Sequence, residues 1–345
     1  AAAASLDLLA PYRPTARLKK VALAGLARFG GAWRAGDGLL LARRQVSGLE
    51  SYLQELTGHE TLHLALAPGS AGEFRKLTAR LMRDDGSALG FAKIGWTASA
   101  CDAIGRECRM LDHLAAYPEL RGRVPSLLDA AWIDGQFVSV QSSGGAKVSG
   151  SAYGPRHHAF LKTLASASAR RMRFSDSAMW RSIKDSYESL APRLATPNRM
   201  LLKRVSDEVE LALGDRELDL SIAHRDFGPW NVRLLSTGEI FVFDWETAQP
   251  EMVPAYDFFD FHSRAHVLSG KQAHPEQLAR LWLARCRQWH PELEASDVPA
   301  FFLAYLLDRA LSRSRYVLWR DDGGHDAMYD LLVTLLDTRA AWMAD

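Results

Sequence analysis

Three oxygen-bearing side chains stand close together in the chain: Asp226, Asn231 and Asp244, within HRDFGPWNVRLLSTGEIFVFDWE at 224–246. Two carboxylates and an amide can hold a divalent cation beside a substrate hydroxyl, because Mg²⁺ prefers oxygen ligands and takes only one or two from the protein. Phosphoryl transfer needs that set and little covalent help. In such chemistry Asp226 accepts or orients the proton of the attacking hydroxyl. Asn231 offers the metal an amide oxygen and Asp244 a carboxylate. The intervening VRLLSTGEIFVF reads as two short strands turning at Ser236-Thr237-Gly238, so its open end would bring the three together.

The elements that must carry this hairpin follow from pattern. Residues 15–60 are helical and basic-amphipathic, and 1–60 forms an N-terminal helical extension. Its start, 15–35, has two readings: a surface for a membrane or a partner, and a helix packed on the next lobe. From 61 the period changes. Three apolar runs separated by PGSAG and DDGS predict an antiparallel meander. CDAIGRECRMLDHLAAY carries Ile104, Cys108, Leu111 and Leu114 at helical spacing, and two more strands flank Asp134-Gly135. A small lobe therefore spans 61–142. The remainder, 143–345, is mainly helical, with helices expected near 155–173, 178–190 and 198–214. Strands with one inserted helix, followed by helices around a loop-rich centre, describe an α+β, bilobal protein.

Composition excludes several classes. A net charge of +1 lacks the basic excess of a nucleic-acid binder. No window reaches the apolar length of a membrane span. RLKKVALAGLARFGGAW starts like a secretory leader, but Arg28 interrupts the apolar run. Cys101, Cys108 and Cys286 fit no zinc pattern and read as small buried thiols, so the expected location is cytoplasmic.

HRDFGPWN followed by FDWE resembles the aminoglycoside phosphotransferase and choline kinase superfamily, small-molecule relatives of protein kinases. VPAYDFFDF matches that family's later Pro-x-x-Asp with Pro254 and Asp257. The resemblance implies a protein-kinase-like fold, with Asp226 as catalytic base, Asn231 and Asp244 on Mg²⁺, and His224 and Asp257 bracing the loop. It also requires a small-lobe lysine and a helical glutamate. Lys93 in ALGFAKIGW would contact the phosphates of ATP or another nucleoside triphosphate. Glu107 would pair with Lys93, with Asp102 and Asp112 as rivals. The turn over the phosphates would be PGSAGEF, with Gly69, Ser70 and Gly72. Adenine would lie between the lobes against the connector VQSSGG, near Val140 to Ser142. Trp230 and Trp245 read as packing residues. Glu246 has two readings, a metal or substrate contact and a solvated acid.

DWE in place of D-F-G, no A-P-E, and 13 residues between Asp244 and Asp257 leave no ordinary activation segment. A small-molecule hydroxyl acceptor therefore fits better than a protein. The same stretch most resembles bacterial phosphotransferases of polysaccharide biosynthesis, which implies a sugar or sugar-like acceptor. A cationic acceptor of aminoglycoside or choline type is the alternative, since acidic residues crowd 224–260. The alternative of another class is a nucleotide-binding pseudokinase acting as an interaction module.

Overall fold

The computed structural model describes residues 48–69, 72–144, 147–148, 152–319 and 326–343. Residues 1–47, with the basic stretch 15–35, and Ser70 lie outside them. The described residues before 152, joined by Trp230–Thr247, make one compact unit; those of Ala152–Pro229 and Ala248–Asp345 make a second.

The first unit begins with α1 (Gly48–Thr57). The meander follows as β1 (His63–Pro68), β2 (Leu77–Met82) and β3 (Ala88–Gly95). Then come α2 (Ala98–Leu114), β4 (Leu127–Ile133) and β5 (Gln136–Ser142). These strands form an antiparallel sheet in the order β1-β2-β3-β5-β4. The β4–β5 turn consists of Asp134 and Gly135, with φ of 49° and 78°, the paired left-handed conformation that two-residue hairpins demand. Leu53, Leu81, Ala92, Ile94 and Val138 fill the core beneath the sheet. The Thr97 hydroxyl caps α2 by accepting from the Ala100 N–H at 3.1 Å. Helical spacing then buries Ile104, Glu107, Cys108 and Leu111 on one face, so an acid is carried into the interior with the apolar residues. A short β6 (Lys147–Val148) ends this part.

The second unit opens with α3 (Pro155–Ser168). The helix expected to run on to 173 stops at Ser168. Its hydroxyl donates to the Leu164 carbonyl and accepts from the Ile222 N–H. Residues beyond it become β7 (Arg170–Arg173), paired antiparallel with β8. After α4 (Ala178–Leu190) and α5 (Thr196–Leu213), β8 (Glu217–Ala223) leads into the loop at 224–229.

The chain then supplies the hairpin of the first unit, β9 (Val232–Leu234) and β10 (Ile240–Val242), with β9 also paired to β6. It returns as β11 (Gln249–Met252), completing a sheet of order β11-β8-β7. The helices α6 (Tyr256–Ser269), α7 (Pro275–Trp289), α8 (Val298–Trp319), α9 (Ala327–Asp337) and α10 (Arg339–Met343) follow. Residues 301–311 of α8 are buried on every side, which makes it the axis of the helical core. The architecture is α+β, an antiparallel sheet unit followed by a mainly helical one.

Candidate active site

In the first unit the chemistry gathers around Lys93 at the middle of β3. Its ammonium lies 2.7 and 2.6 Å from the two Glu107 oxygens and 2.6 Å from Asp244 Oδ1. An unpaired ammonium at this depth would be costly. Burial alone would lower the Lys93 pKa, but Asp244, then Glu107 and Glu246, outweigh it and hold the amine well above its usual range. Glu107 is fully buried and also accepts from the Trp245 backbone N–H at 3.1 Å. Of the expected partners for Lys93, the structure thus brings Glu107 to it.

Asp244 follows β10 with φ of 71°, a left-handed conformation uncommon for a non-glycine residue and frequent at functional sites. Its side chain keeps 27% exposure. At the open end of the β9–β10 hairpin, the Phe243 N–H donates to the Asn231 carbonyl at 3.1 Å. That bond sets the backbones of the two expected metal ligands side by side, and Asn231 is buried.

A cavity of ≈ 580 Å³ opens here, lined by Gly69, Lys93, Ser142 and Asp244 among others. The Gly69 N–H closes its own turn by donating to the Lys76 carbonyl at 2.8 Å. Gly72 has φ of 141°, and its carbonyl accepts from the Arg75 N–H. The Val140 side chain belongs to the sheet core, so within the expected base-binding pair only Ser142 faces the cavity.

The sequence reading missed Lys76, which precedes β2. Its ammonium lies 3.4 Å from Asp244 Oδ1 and contacts Glu246 Oε2 more closely. Glu246 is therefore ion-paired with Lys76. Burial, then the Asp244 charge, push its carboxyl above the usual range against the pull of the two lysines. The available signal was the alternation Lys76, Thr78, Arg80, which puts all three on one strand face and, in the structure, on the cavity.

In the second unit the loop after β8 is held by backbone and charge. Asp257, at the start of α6, accepts from the N–H groups of His224 and Arg225 at 2.7 and 2.9 Å. Its carboxyl is pushed up to about 6 by burial, against those bonds and the His224 ring. The His224 ring is buried, and its Nδ1 accepts from the Asp226 N–H at 3.2 Å. Phe227 is fully buried and stacks on Phe160, fixing the loop from beneath.

Arg225 has φ of 61°, which turns its guanidinium inward onto Asp308 at 2.8 and 2.7 Å. Asp226 points the other way along the chain and pairs with Arg264 at 2.6 Å. Arg264 is itself fixed by Asp260 at 2.7 Å and, together with Arg309, donates to the Arg225 carbonyl. None of these arginine partners was singled out from the sequence. Arg264, Asp308 and Arg309 lie 39, 83 and 84 residues from Arg225 in the loop they steady.

Among the described residues no three of His, Cys, Asp and Glu converge as a self-sufficient metal site. The donor set still suits Mg²⁺, which is held by one or two protein oxygens and completed by phosphate. Two lysines face the carboxylates of Glu107, Asp244 and Glu246, so the cluster can accept further positive charge.

Comparison with known proteins places this geometry. The model of the APH family, the phosphotransferase enzyme family, matches residues 89–297. No curated protein matches the chain. Among solved structures, aminoglycoside phosphotransferase APH(4)-Ia in complex with ADP and hygromycin B is 18% identical. That match covers 87% of this chain and all of the other, with a TM-score of 0.53. Choline kinase LicA from Streptococcus pneumoniae is 14% identical over 85% of this chain and all of the other, TM-score 0.50. A streptomycin–ATP–APH(2")-IIa complex is 13% identical over 87% and 99%, TM-score 0.51. At these identities the likeness establishes the kinase-like fold.

Proposed function

The chain belongs to the phosphotransferase enzyme family, and from that premise we propose that it moves the γ-phosphoryl group of a nucleoside triphosphate to a hydroxyl of a sugar or sugar-like small molecule. The observation that carries this reading is the buried Lys93–Glu107–Asp244 ion cluster on the wall of a 580 Å³ cavity. A structural lysine needs one counter-ion. Lys93 has two, one of them on Asp244, which is in a left-handed conformation and about a quarter exposed.

In this reading Lys93 binds the inner phosphates as a charge-fixed donor, oriented by Glu107. Asp244 and Asn231 would hold Mg²⁺, which neutralises charge on the transferred group when bound. Asp226 takes the proton of the acceptor hydroxyl. The acceptor oxygen bonds to the γ-phosphorus, the bond from that phosphorus to the β–γ bridging oxygen breaks, and the nucleoside diphosphate leaves. The Arg264 pair holds one oxygen of Asp226, which fixes the orientation of the other.

The relatives named with hygromycin B, streptomycin or choline kinase activity place cationic acceptors in the test panel beside sugars. Turnover of purified protein with Mg²⁺ and each acceptor decides the class. Asp226→Asn is expected to reduce turnover by roughly 10²- to 10⁴-fold while nucleotide binding, read by calorimetry, survives. Nucleotide binding by wild type with no product from any acceptor would favour a binding module instead.

A further inference from the structure

The sheet of the first unit turns Lys93 to the cavity on one face and packs α1 on the other. Leu53 of α1 shares a core there with Ala79 and Leu81 of β2 and with Ala92 and Ile94 of β3. Strand register carries this apolar face one strand further, since Leu64 of β1 lies opposite Leu81 and Leu66 opposite Ala79. Those partners are fully buried, yet Leu64 and Leu66 are 38% and 50% exposed. β1 is also an edge of the sheet, with β2 as its one strand neighbour among the described residues. An apolar edge strand of six residues invites pairing with other chains unless something covers it.

Exposed acids gather at the start of this strand. Asp84 lies 2.9 Å from the ring of His63, the first residue of β1, and its side chain keeps 79% exposure. Asp85 beside it is exposed, as is Glu60, whose carbonyl accepts from the Gln54 side chain at 2.7 Å. Arg83 is the exposed cation of that turn. Such a surface suits an apolar segment that carries positive charge. The stretch 15–35, TARLKKVALAGLARFGGAWRA, has that composition: Arg17, Lys19, Lys20, Arg28 and Arg34 stand among Val21, Leu23, Leu26, Phe29 and Trp33, with no acid. Twelve residues, 36–47, join it to Gly48 at the start of α1. Extended, they reach roughly 40 Å. A five-stranded sheet is only ~19 Å wide, so this tether spans it.

We propose that residues 15–35 of this chain cover Leu64 and Leu66, with their cations beside Glu60, Asp84 and Asp85. Covering the pair removes apolar surface from water and closes the edge of the sheet to other chains. On its other face the same strand lends Ala67 to the cavity, so the covered edge backs one wall of it. Of the two roles the sequence leaves open for this stretch, packing on the small lobe is the one assigned.

The test is limited trypsin cleavage of the folded full chain, read by mass spectrometry at Arg17, Lys19, Lys20, Arg28 and Arg34. Cleavage of a covered segment follows the fraction of time it is released. Leu64→Gln with Leu66→Gln should raise cleavage at these sites about tenfold. Glu60→Gln with Asp84→Asn leaves the apolar pair in place and should raise it about threefold, because exposed charge contacts are weak. Leu128→Gln, on the opposite edge strand β4 and similarly exposed, should change nothing. The proposal is overturned if both double variants keep the wild-type thermal midpoint and are cut at the wild-type rate. It is overturned equally if wild type is cut as fast as a free peptide of residues 15–35. A wild-type dimer in sedimentation that Leu64→Gln with Leu66→Gln dissolves gives the edge to a second copy instead. Protection of 15–35 only when phosphatidylserine vesicles are added gives the stretch to lipid, and either result also overturns the assignment.

Discussion

Two lysines meet three carboxylates around Lys93 in the first unit. Around Arg225 in the second, Arg225, Arg264 and Arg309 meet Asp226, Asp260 and Asp308. The first cluster is short of positive charge and borders a cavity, with Asp244 and Glu246 each about a quarter exposed. The second is charge-balanced and its inner members are sealed: Asp260 is fully buried, and Asp308 and Arg309 nearly so, while Asp226 at its edge keeps 23% exposure. Buried ion pairs seldom add net stability over apolar packing, yet losing one partner is severe. The comparison teaches that one cluster is built to exchange partners and the other to keep them. Only the closed one holds a backbone carbonyl and a candidate base in fixed positions.

The most severe way to break the closed cluster is Asp308→Ala, which strands the Arg225 guanidinium. Urea unfolding should show a loss of about 3–5 kcal/mol, and turnover should fall because Arg225 adjoins Asp226. Replacing both partners with apolar residues, Arg225→Met with Asp308→Leu, should recover most of the stability. If the single variant costs under ~1 kcal/mol, the contrast between the clusters fails.

Acid probes the same unit more gently. Burial lowers His157 and His262 to about 4, and both rings of this pair sit among aromatic groups, His157 beside Phe227 and Phe261. The folded state keeps them neutral, while the unfolded chain takes up protons as pH falls through 6.5. Their contribution is therefore complete above about 6.5 and is lost progressively down to about 4, at most about 3 kcal/mol for each ring at 1.36 per pKa unit. Urea midpoints at pH 7 and pH 5 measure the loss, and His157→Phe should flatten part of it.

The open cluster should respond least in stability and more in binding. Lys76→Met removes one of its two cations. It is expected to lower nucleotide affinity near tenfold, about 1–2 kcal/mol, with the unfolding midpoint almost unchanged. A large stability loss would mean that Lys76 is scaffold.

Local signals made much of this legible. Alternation and the Asp134-Gly135 turn delimit the five-stranded sheet, and helical spacing carries Glu107 to the face that Lys93 needs. The catalytic-loop residues stand within one short stretch, so their types and order could be read directly. What could not be read depends on distance along the chain. Lys76 meets Asp244 and Glu246 across 168 and 170 residues, and Arg225 meets Asp308 across 83, with no pattern linking either pair. The end of α3 at Ser168 depends on a bond to Ile222, 54 residues on. A four-residue strand such as β7 is also too short for its period to show.

The return of Trp230–Thr247 to the earlier part of the chain sets a schedule for biosynthesis. Glu107 leaves the ribosome long before its backbone partner Trp245, 138 residues later. At the usual pace of translation that interval is on the order of ten seconds. Throughout it the nascent sheet carries an acid and an amine at its heart without the third member of their cluster. Chaperone engagement should therefore concentrate on chains halted between about 150 and 245 residues, and ease once the hairpin has emerged.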